Sequence, residues 1–143
     1  MPEIRITRSI KANPERVFDA WLDPAMIQRF VVSIQVRDEE LVHMKVDARV
    51  GGRFSFLVRR AGQLIDHVGT YREIDRPRRL VFTWGVDEEQ GDKSVVSIEI
   101  EPSAEGCVLT LTHQLDPAWA DYAERTQQGW THITGKLADA LAR

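Results

Sequence analysis

Four polar side chains have the types and the spacing that general acid–base chemistry requires. His67, Tyr71 and Glu73 lie at even intervals in a segment that alternates like a β-strand, so all three are predicted to share one face. His113 falls on the apolar face of the last predicted strand. Burial in an apolar cleft moves the pKa of a histidine or a carboxyl group toward neutrality, which suits proton transfer. The candidate catalytic residues are therefore His67, Glu73 and His113, with Tyr71 as a further acid or base.

A structural interpretation of the same residues stays open. His113 can donate and accept hydrogen bonds near the rim of a sheet. Glu73 can pair with Arg72 or Arg79 at a strand end. The facing of each residue depends on strand register, and a bulge of one residue reverses it. The chain has no Gly-x-Ser-x-Gly or His-Glu-x-x-His motif, and its lone cysteine, Cys107, best fits a small buried side chain.

Length and composition indicate one globular domain spanning residues 1–143. The hydrophobic fraction of 43% and the charged fraction of 29% are those of ordinary folded domains. A formal net charge of -3 provides no overall positive field for a nucleic acid or an anionic membrane. No apolar run approaches the ~18–20 residues of a membrane-spanning helix. One cysteine and four scattered histidines predict neither a disulfide nor a metal site, so we expect a cytoplasmic protein without a cofactor.

The N-terminal part of the chain predicts a strand followed by two short helices. Residues 4–10 alternate between apolar and polar side chains, which is typical of a half-buried strand. Asn13 and Pro14 then form a helix-start signal, in which the asparagine caps the helix and the proline is its first residue. Asp23 and Pro24 repeat the signal, so a second helix is predicted over roughly residues 24–29.

The remainder predicts six strands and one long helix. Alternating segments follow one another from residue 43 onward and are separated by short turns. These turns fall at residues 51–52, 61–62, 75–77, 87–92 and 105–106. Asp116 and Pro117 start a helix that runs to about Leu141. Six consecutive strands form an antiparallel meander whose apolar face needs a cover, so the fold class is α+β, with the C-terminal helix packed across a curved sheet.

Several short motifs occur in this same order along the chain. They are Ile-Thr-Arg-Ser-Ile at 6–10, Val-Phe-Asp-Ala-Trp at 17–21, Asp-Ala-Arg-Val-Gly-Gly-Arg-Phe at 47–54, Gly-Thr-Tyr-Arg-Glu-Ile at 69–74, Arg-Leu-Val-Phe-Thr-Trp at 79–84, Leu-Thr-Leu-Thr-His at 109–113 and Gly-Trp at 129–130. The element order resembles the helix-grip fold of the START-like (SRPBCC) superfamily. The motifs resemble one branch of it, the homologues of the activator of heat shock protein 90 ATPase, in a freestanding bacterial form.

A curved antiparallel sheet gripped by a helix leaves a cleft between the sheet and the helix. The inward faces of the strands and of the helix then line a largely apolar cavity. We therefore expect the protein to bind a small hydrophobic molecule there. The predicted ligand-binding residues are Phe54, Phe56, Val58, Tyr71, Phe82, Trp84, Ile98, Leu109, Leu111, Trp130 and Leu137. The same side chains would form an ordinary filled core if their volumes closed the cleft.

Two further functions stay open at this stage. The resemblance implies a possible chaperone partner, the heat shock protein 90 ATPase, contacted through acidic residues 38–40 or the arginines at 72, 76, 78 and 79. The wider superfamily also implies a cyclase or hydrolase that acts on an aromatic or polyketide-like substrate, with the four polar residues as acid or base. An exposed edge strand is compatible with a monomer or a homodimer.

Overall fold

The computed structural model describes residues 3–30, 39–86 and 94–141, and the predicted acidic loop at 87–92 lies outside them. The helices and strands in chain order are β1 (Glu3–Ile10), α1 (Pro14–Ala20), α2 (Pro24–Phe30), β2 (Glu39–Val46), β3 (Arg53–Arg60), β4 (Gln63–Asp75), β5 (Arg79–Thr83), β6 (Gly85–Val86), β7 (Val95–Ser103), β8 (Gly106–Gln114), a 3-10 helix (Pro117–Tyr122) and α3 (Ala123–Leu141).

The strands form one antiparallel sheet in the order β1-β8-β7-β5-β4-β3-β2. The first strand therefore pairs with the last, and the strands between them follow the chain as a meander. The short β6 continues the line of β5 after Trp84 and pairs with β4. This arrangement confirms the predicted α+β helix-grip fold: a strand, two short helices, the meander and a long C-terminal helix.

Local signals start the first helix where the sequence predicts. The side chain of Asn13 accepts a hydrogen bond of 2.8 Å from the backbone N–H of Arg16, and Pro14 is the first helical residue. The cap satisfies one of the N–H groups that a helix start leaves without a partner inside the helix. Val17 and Phe18 are then buried against the core.

The C-terminal helix lies against the sheet through a buried stripe on one side. Trp130, Thr134 and Leu137 belong to this stripe, at the spacing of one helical face. Arg8 on β1 ties the sheet to the helix, because its Nε donates to Thr134 Oγ1 at 3.2 Å and its Nη2 donates to the Thr131 carbonyl at 3.0 Å. The segment predicted as the first turn of this helix is instead a separate 3-10 helix.

The strand β2 begins at residue 39, four residues before the predicted start. It is an edge strand, and Val42 is 44% exposed. Because an apolar residue lies on the exposed side, apolar and polar residues do not alternate strictly at this end of the strand. The register of β2 against β3 also shifts between Leu41 and His43. An exposed edge strand with a register shift leaves no clean period of two in the sequence.

Candidate functional site

Seven aromatic side chains and one isoleucine, from the sheet and the helices, surround a small cavity beneath α3. Its wall consists of Trp21, Ile27, Phe54, Phe56, Tyr71, Phe82, Trp84 and Trp130. The cavity has a volume of about 20 Å³, which is room for about one water molecule. The cleft between helix and sheet is therefore nearly filled by its own side chains.

The rings of this wall form a continuous contact network. Trp84 is at its centre, with its ring centroid 5.1 Å from that of Trp130 and 5.8 Å from that of Phe54. Trp130 in turn lies 6.4 Å from Trp21, and Phe54 stacks on Phe56 at 4.9 Å. Aromatic pairs at these separations attract one another beyond the burial of their area. The network therefore couples the helices to the middle strands of the sheet.

Gly69 on β4 makes room for the ring of Phe54. The two residues are register partners on neighbouring strands. A Cβ at position 69 would lie 2.5 Å from Phe54 Cζ and would collide with the Thr83 carbonyl oxygen. Glycine is therefore required here for the close approach of a ring to the backbone, and it fixes one side of the cavity.

Trp84 is the part of the wall that solvent reaches. The other seven wall residues are buried, whereas Trp84 is only half-buried. Its indole stacks on the ring of His67 at 5.3 Å and 18°. Its backbone lies in the gap between β5 and β6, where its N–H donates to the Ser94 carbonyl at 3.0 Å. Trp84 is thus the partly exposed member of the wall, and it lies outside a regular strand ladder.

A buried hydrogen-bonded chain joins Trp84 to α3. Trp130 Nε1–H donates to His113 Nδ1 at 2.9 Å, and His113 Nε2 lies 2.9 Å from Ser94 Oγ. The Ser94 hydroxyl donates to the carbonyl oxygen of Trp84. An indole N–H can only donate, so Nδ1 of the histidine accepts and Nε2 carries the proton. Both ring nitrogens of His113 are thereby engaged within the protein.

Burial lowers the pKa of His113 to about 4. The side chain is 2% exposed, and the low dielectric of the interior disfavours the charged imidazolium. The hydrogen bond from Trp130 requires the same neutral form, because a doubly protonated ring has no acceptor. His113 is therefore a neutral residue that positions Trp130 and, through Ser94, the backbone of Trp84.

The other two candidate catalytic residues are not brought together. His67 lies beside Trp84 near the cavity, opposite Phe56 on the neighbouring strand. The prediction that Glu73 shares its face is wrong, because the pairing of β4 with β5 shifts by one residue between Tyr71 and Glu73. Glu73 is exposed on the far side of this bulge, where its carboxylate accepts a hydrogen bond of 3.1 Å from Arg79 Nε.

Tyr71 lies in the cavity wall, and burial raises the pKa of its hydroxyl, with the Asp47 carboxylate adding to the shift. The hydroxyl is therefore protonated at neutral pH. The backbone of Tyr71 is held by the turn before β3: its N–H donates to the Gly52 carbonyl, and its carbonyl accepts from Gly51 N–H. The two glycines that the sequence shows as a turn thus anchor a wall residue.

The predicted ligand-binding residues divide into two groups. The first group lies in the cavity wall and comprises Phe54, Phe56, Tyr71, Phe82, Trp84 and Trp130. The second group is buried away from that wall and comprises Val58, Ile98, Leu109, Leu111 and Leu137. Trp21 and Ile27, from the two short helices, are wall residues that the sequence analysis missed.

Neither a cluster of metal-ligating side chains nor a membrane-spanning helix occurs in the described part of the chain. Within residues 3–30, 39–86 and 94–141, no three His, Cys, Asp or Glu side chains group in a way that could hold a metal ion. No helix in those segments is both long enough and apolar enough to cross a bilayer.

Comparison with known proteins gives consistent matches over the whole fold. A Chromobacterium violaceum protein of known structure is 26% identical, with a TM-score of 0.85, and the match covers 100% of this chain and 99% of that one. An AHSA1-like protein from Aeromonas hydrophila is 24% identical, with a TM-score of 0.78 and coverage of 96% and 90%. The Aha1 dimer from Colwellia psychrerythraea is 18% identical, with a TM-score of 0.77 and coverage of 99% and 96%.

No functionally curated protein matches the sequence. The family model described as Activator of Hsp90 ATPase homolog 1-like protein matches residues 11–142, nearly the full length. The chain belongs to the Activator of Hsp90 ATPase homolog 1-like family, with an SRPBCC-type, START-like fold.

Proposed function

We propose that this domain binds a small, mostly apolar molecule between the sheet and α3. The observation that carries the proposal is the cavity wall, in which aromatic residues of β3, β4, β5 and α3 meet two tryptophans, Trp21 directly after α1 and Trp84 directly after β5. Ligand sites are typically concave, apolar and aromatic, with few polar groups. A wall of this kind supplies dispersion contacts and excludes water from whatever it encloses.

The size of the cavity sets a condition on binding. A volume of about 20 Å³ does not hold an organic molecule, so a ligand enters only if a wall side chain moves. Trp84 is the side chain best placed to move, because it is half-buried and its backbone lies between two strands. Binding therefore exchanges the contacts that Trp84 makes with Phe54 and Trp130 for contacts with the ligand.

A thermal-shift screen with hydrophobic metabolites, including lipids, flavonoids and aromatic ketones, tests this proposal. A ligand at about 100 times its dissociation constant stabilises the fold by about 2.7 kcal/mol, which raises Tm by several degrees. Phe82→Leu alters the wall and should reduce the shift. Ile98→Val shortens a fully buried side chain away from the wall and should leave the shift unchanged. The absence of any shift across the screen would contradict the proposal.

Family membership favours a second candidate function, activation of an Hsp90-type ATPase. Some of the charged residues predicted to contact the chaperone form ion pairs within the chain. Arg79 binds Glu73 and Glu99, and Glu40 binds Arg59. Asp38 lies outside the described residues, as does the side chain of Glu39.

The test of this second function adds increasing amounts of the protein to a bacterial Hsp90-type ATPase. An activator raises the rate of ATP hydrolysis in a saturable way, and charge reversal at Arg78 and Arg79 weakens the effect. A flat rate up to saturating protein would exclude the second function and leave the first unaffected.

A further inference from the structure

Trp21 carries a buried hydrogen-bond donor, its indole Nε1–H. The side chain is 6% exposed, and among the described residues nothing accepts a hydrogen bond from its Nε1–H. An indole N–H can only donate, and an unsatisfied buried donor carries a desolvation cost. The contrast with Trp130 is direct, because the same group on that residue donates to His113.

The residue that carries this donor lines the cavity. Trp21 lines the cavity together with Ile27, and its ring packs 6.4 Å from that of Trp130 and 5.1 Å from that of Phe30. The wall residues Ile27, Phe54, Phe56 and Phe82 have no polar side-chain atoms. A free N–H group in such surroundings is the kind of single polar contact that orients a ligand in an apolar site.

A single water molecule would be a poor partner for this donor. Buried waters are typically held by about three hydrogen bonds, whereas the polar side-chain groups of this wall besides Trp21 are the Tyr71 hydroxyl, the Trp84 indole N–H and the Trp130 indole N–H, which already donates to His113. An oxygen atom that is part of an apolar molecule needs only the one bond, since the rest of that molecule packs against the rings. The arrangement therefore favours a ligand that is mostly hydrophobic and carries one hydrogen-bond acceptor.

We infer that Trp21 selects the ligand class of this site: compact, mostly aromatic or aliphatic molecules that carry one hydrogen-bond acceptor oxygen, such as a ketone. The inference rests on the proposed binding function and adds its specificity. A site built to bond a polar group discriminates strongly against an analogue that lacks the group, because its own donor is then left unpaired. Trp21 Nε1–H is that donor here.

Two probes of nearly equal shape test the inference. Acetophenone carries a carbonyl oxygen, and α-methylstyrene has a methylene group in its place. Wild-type protein is expected to bind acetophenone about tenfold more tightly, the ratio that corresponds to one hydrogen bond. Trp21→Phe removes the donor and should bring the ratio of the two dissociation constants close to one. Trp130→Phe is the matched control, which should weaken both probes and preserve the ratio.

The outcomes separate this inference from the proposal beneath it. Equal affinities of the two probes for wild-type protein would overturn the role of Trp21 and leave apolar binding intact. Binding of neither probe to wild-type protein would overturn the inference, because acetophenone belongs to the class it names, whereas the proposed function fails only if the wider screen also finds no ligand. A ratio that stays near tenfold in Trp21→Phe would also overturn the inference, because the selecting group would lie elsewhere.

A second measurement uses only wild-type protein, so it does not require that the Trp21→Phe variant folds. The Trp21 Nε1–H resonance should move downfield on addition of acetophenone, since a hydrogen bond to the carbonyl deshields the proton. It should show no such shift with α-methylstyrene. A Trp21 signal that responds identically to both probes would contradict the inference.

Discussion

Trp130 and His113 form a buried pair in which the indole Nε1–H donates to imidazole Nδ1 at 2.9 Å. The bond connects the C-terminal helix to the last strand of the sheet, and it continues through Ser94 to the backbone of Trp84. One neutral histidine thus positions both the indole of Trp130 and, through Ser94, the backbone of Trp84.

The first prediction concerns pH. The pKa of His113 is about 4 in the folded protein and 6.5 in an exposed imidazole, so the unfolded chain takes up its proton first as the pH falls. This contribution to stability is complete above about pH 6.5 and is lost progressively down to about pH 4. Between about pH 7.5 and about pH 5, the free energy of unfolding should fall by about 2 kcal/mol.

Urea denaturation across this pH range measures the effect. His113→Gln keeps a polar side chain but does not titrate, so its profile should be flatter than that of the wild type. Identical pH profiles for the two proteins would show that His113 is not the titrating group.

The second prediction concerns entry into the cavity. Trp84→Ala removes the half-buried ring that closes the wall, and both association and dissociation of an aromatic probe should become faster. Dissociation should accelerate more, because the probe loses contact with the missing ring. Stopped-flow fluorescence measures both rates, and Trp84→Phe should give intermediate values. Unchanged rates in Trp84→Ala would place the entrance elsewhere.

The third prediction concerns Gly69, which lies beneath Phe54. Gly69→Ala places a methyl group against Phe54 and Thr83, so it should lower the free energy of unfolding by about 1–3 kcal/mol and weaken probe binding. Gly62→Ala is the control, because it has open space around the new Cβ and carries only the strain of its φ of +81°. It should destabilise by about 1–2 kcal/mol, the cost of a left-handed backbone for a residue with a Cβ, without changing probe affinity. Chemical denaturation and probe titration check both variants.

The fourth prediction concerns the exposed acid Glu73. Its ion pair with Arg79 is partly open to solvent, so Glu73→Gln should change the free energy of unfolding by less than about 1 kcal/mol. Probe affinity should stay at the wild-type value, because the side chain lies outside the cavity wall. A loss of binding in Glu73→Gln would indicate that the bulge places this residue differently.

The fold follows from signals that act over a few residues. The Asn13 cap forms as predicted, and Gly62 adopts the positive φ expected of the tight turn between β3 and β4. The period of two in β8 correctly placed His113 among buried residues. These features depend on local conformational preferences and on alternation, both of which are written directly in the sequence.

The details of the site depend on contacts that no local pattern records. The bulge after Tyr71 turns Glu73 outward, and the sequence shows no signal for it. Trp21 lies in the wall through tertiary contacts, since its ring packs against those of Phe30 and Trp130. The hydrogen bond between Trp130 and His113 joins the C-terminal helix to β8. How far these two elements are shifted along each other is determined only in the folded chain.

The most direct test of the proposed function is an intermolecular NOE experiment on wild-type protein with acetophenone. The account predicts saturable NOEs from the phenyl protons of the probe to the ring protons of Phe54 and Trp130, both of which are buried in the cavity wall. NOEs confined to exposed side chains such as Leu64 and Tyr122 would show surface association instead, and would contradict a binding site between the sheet and the C-terminal helix.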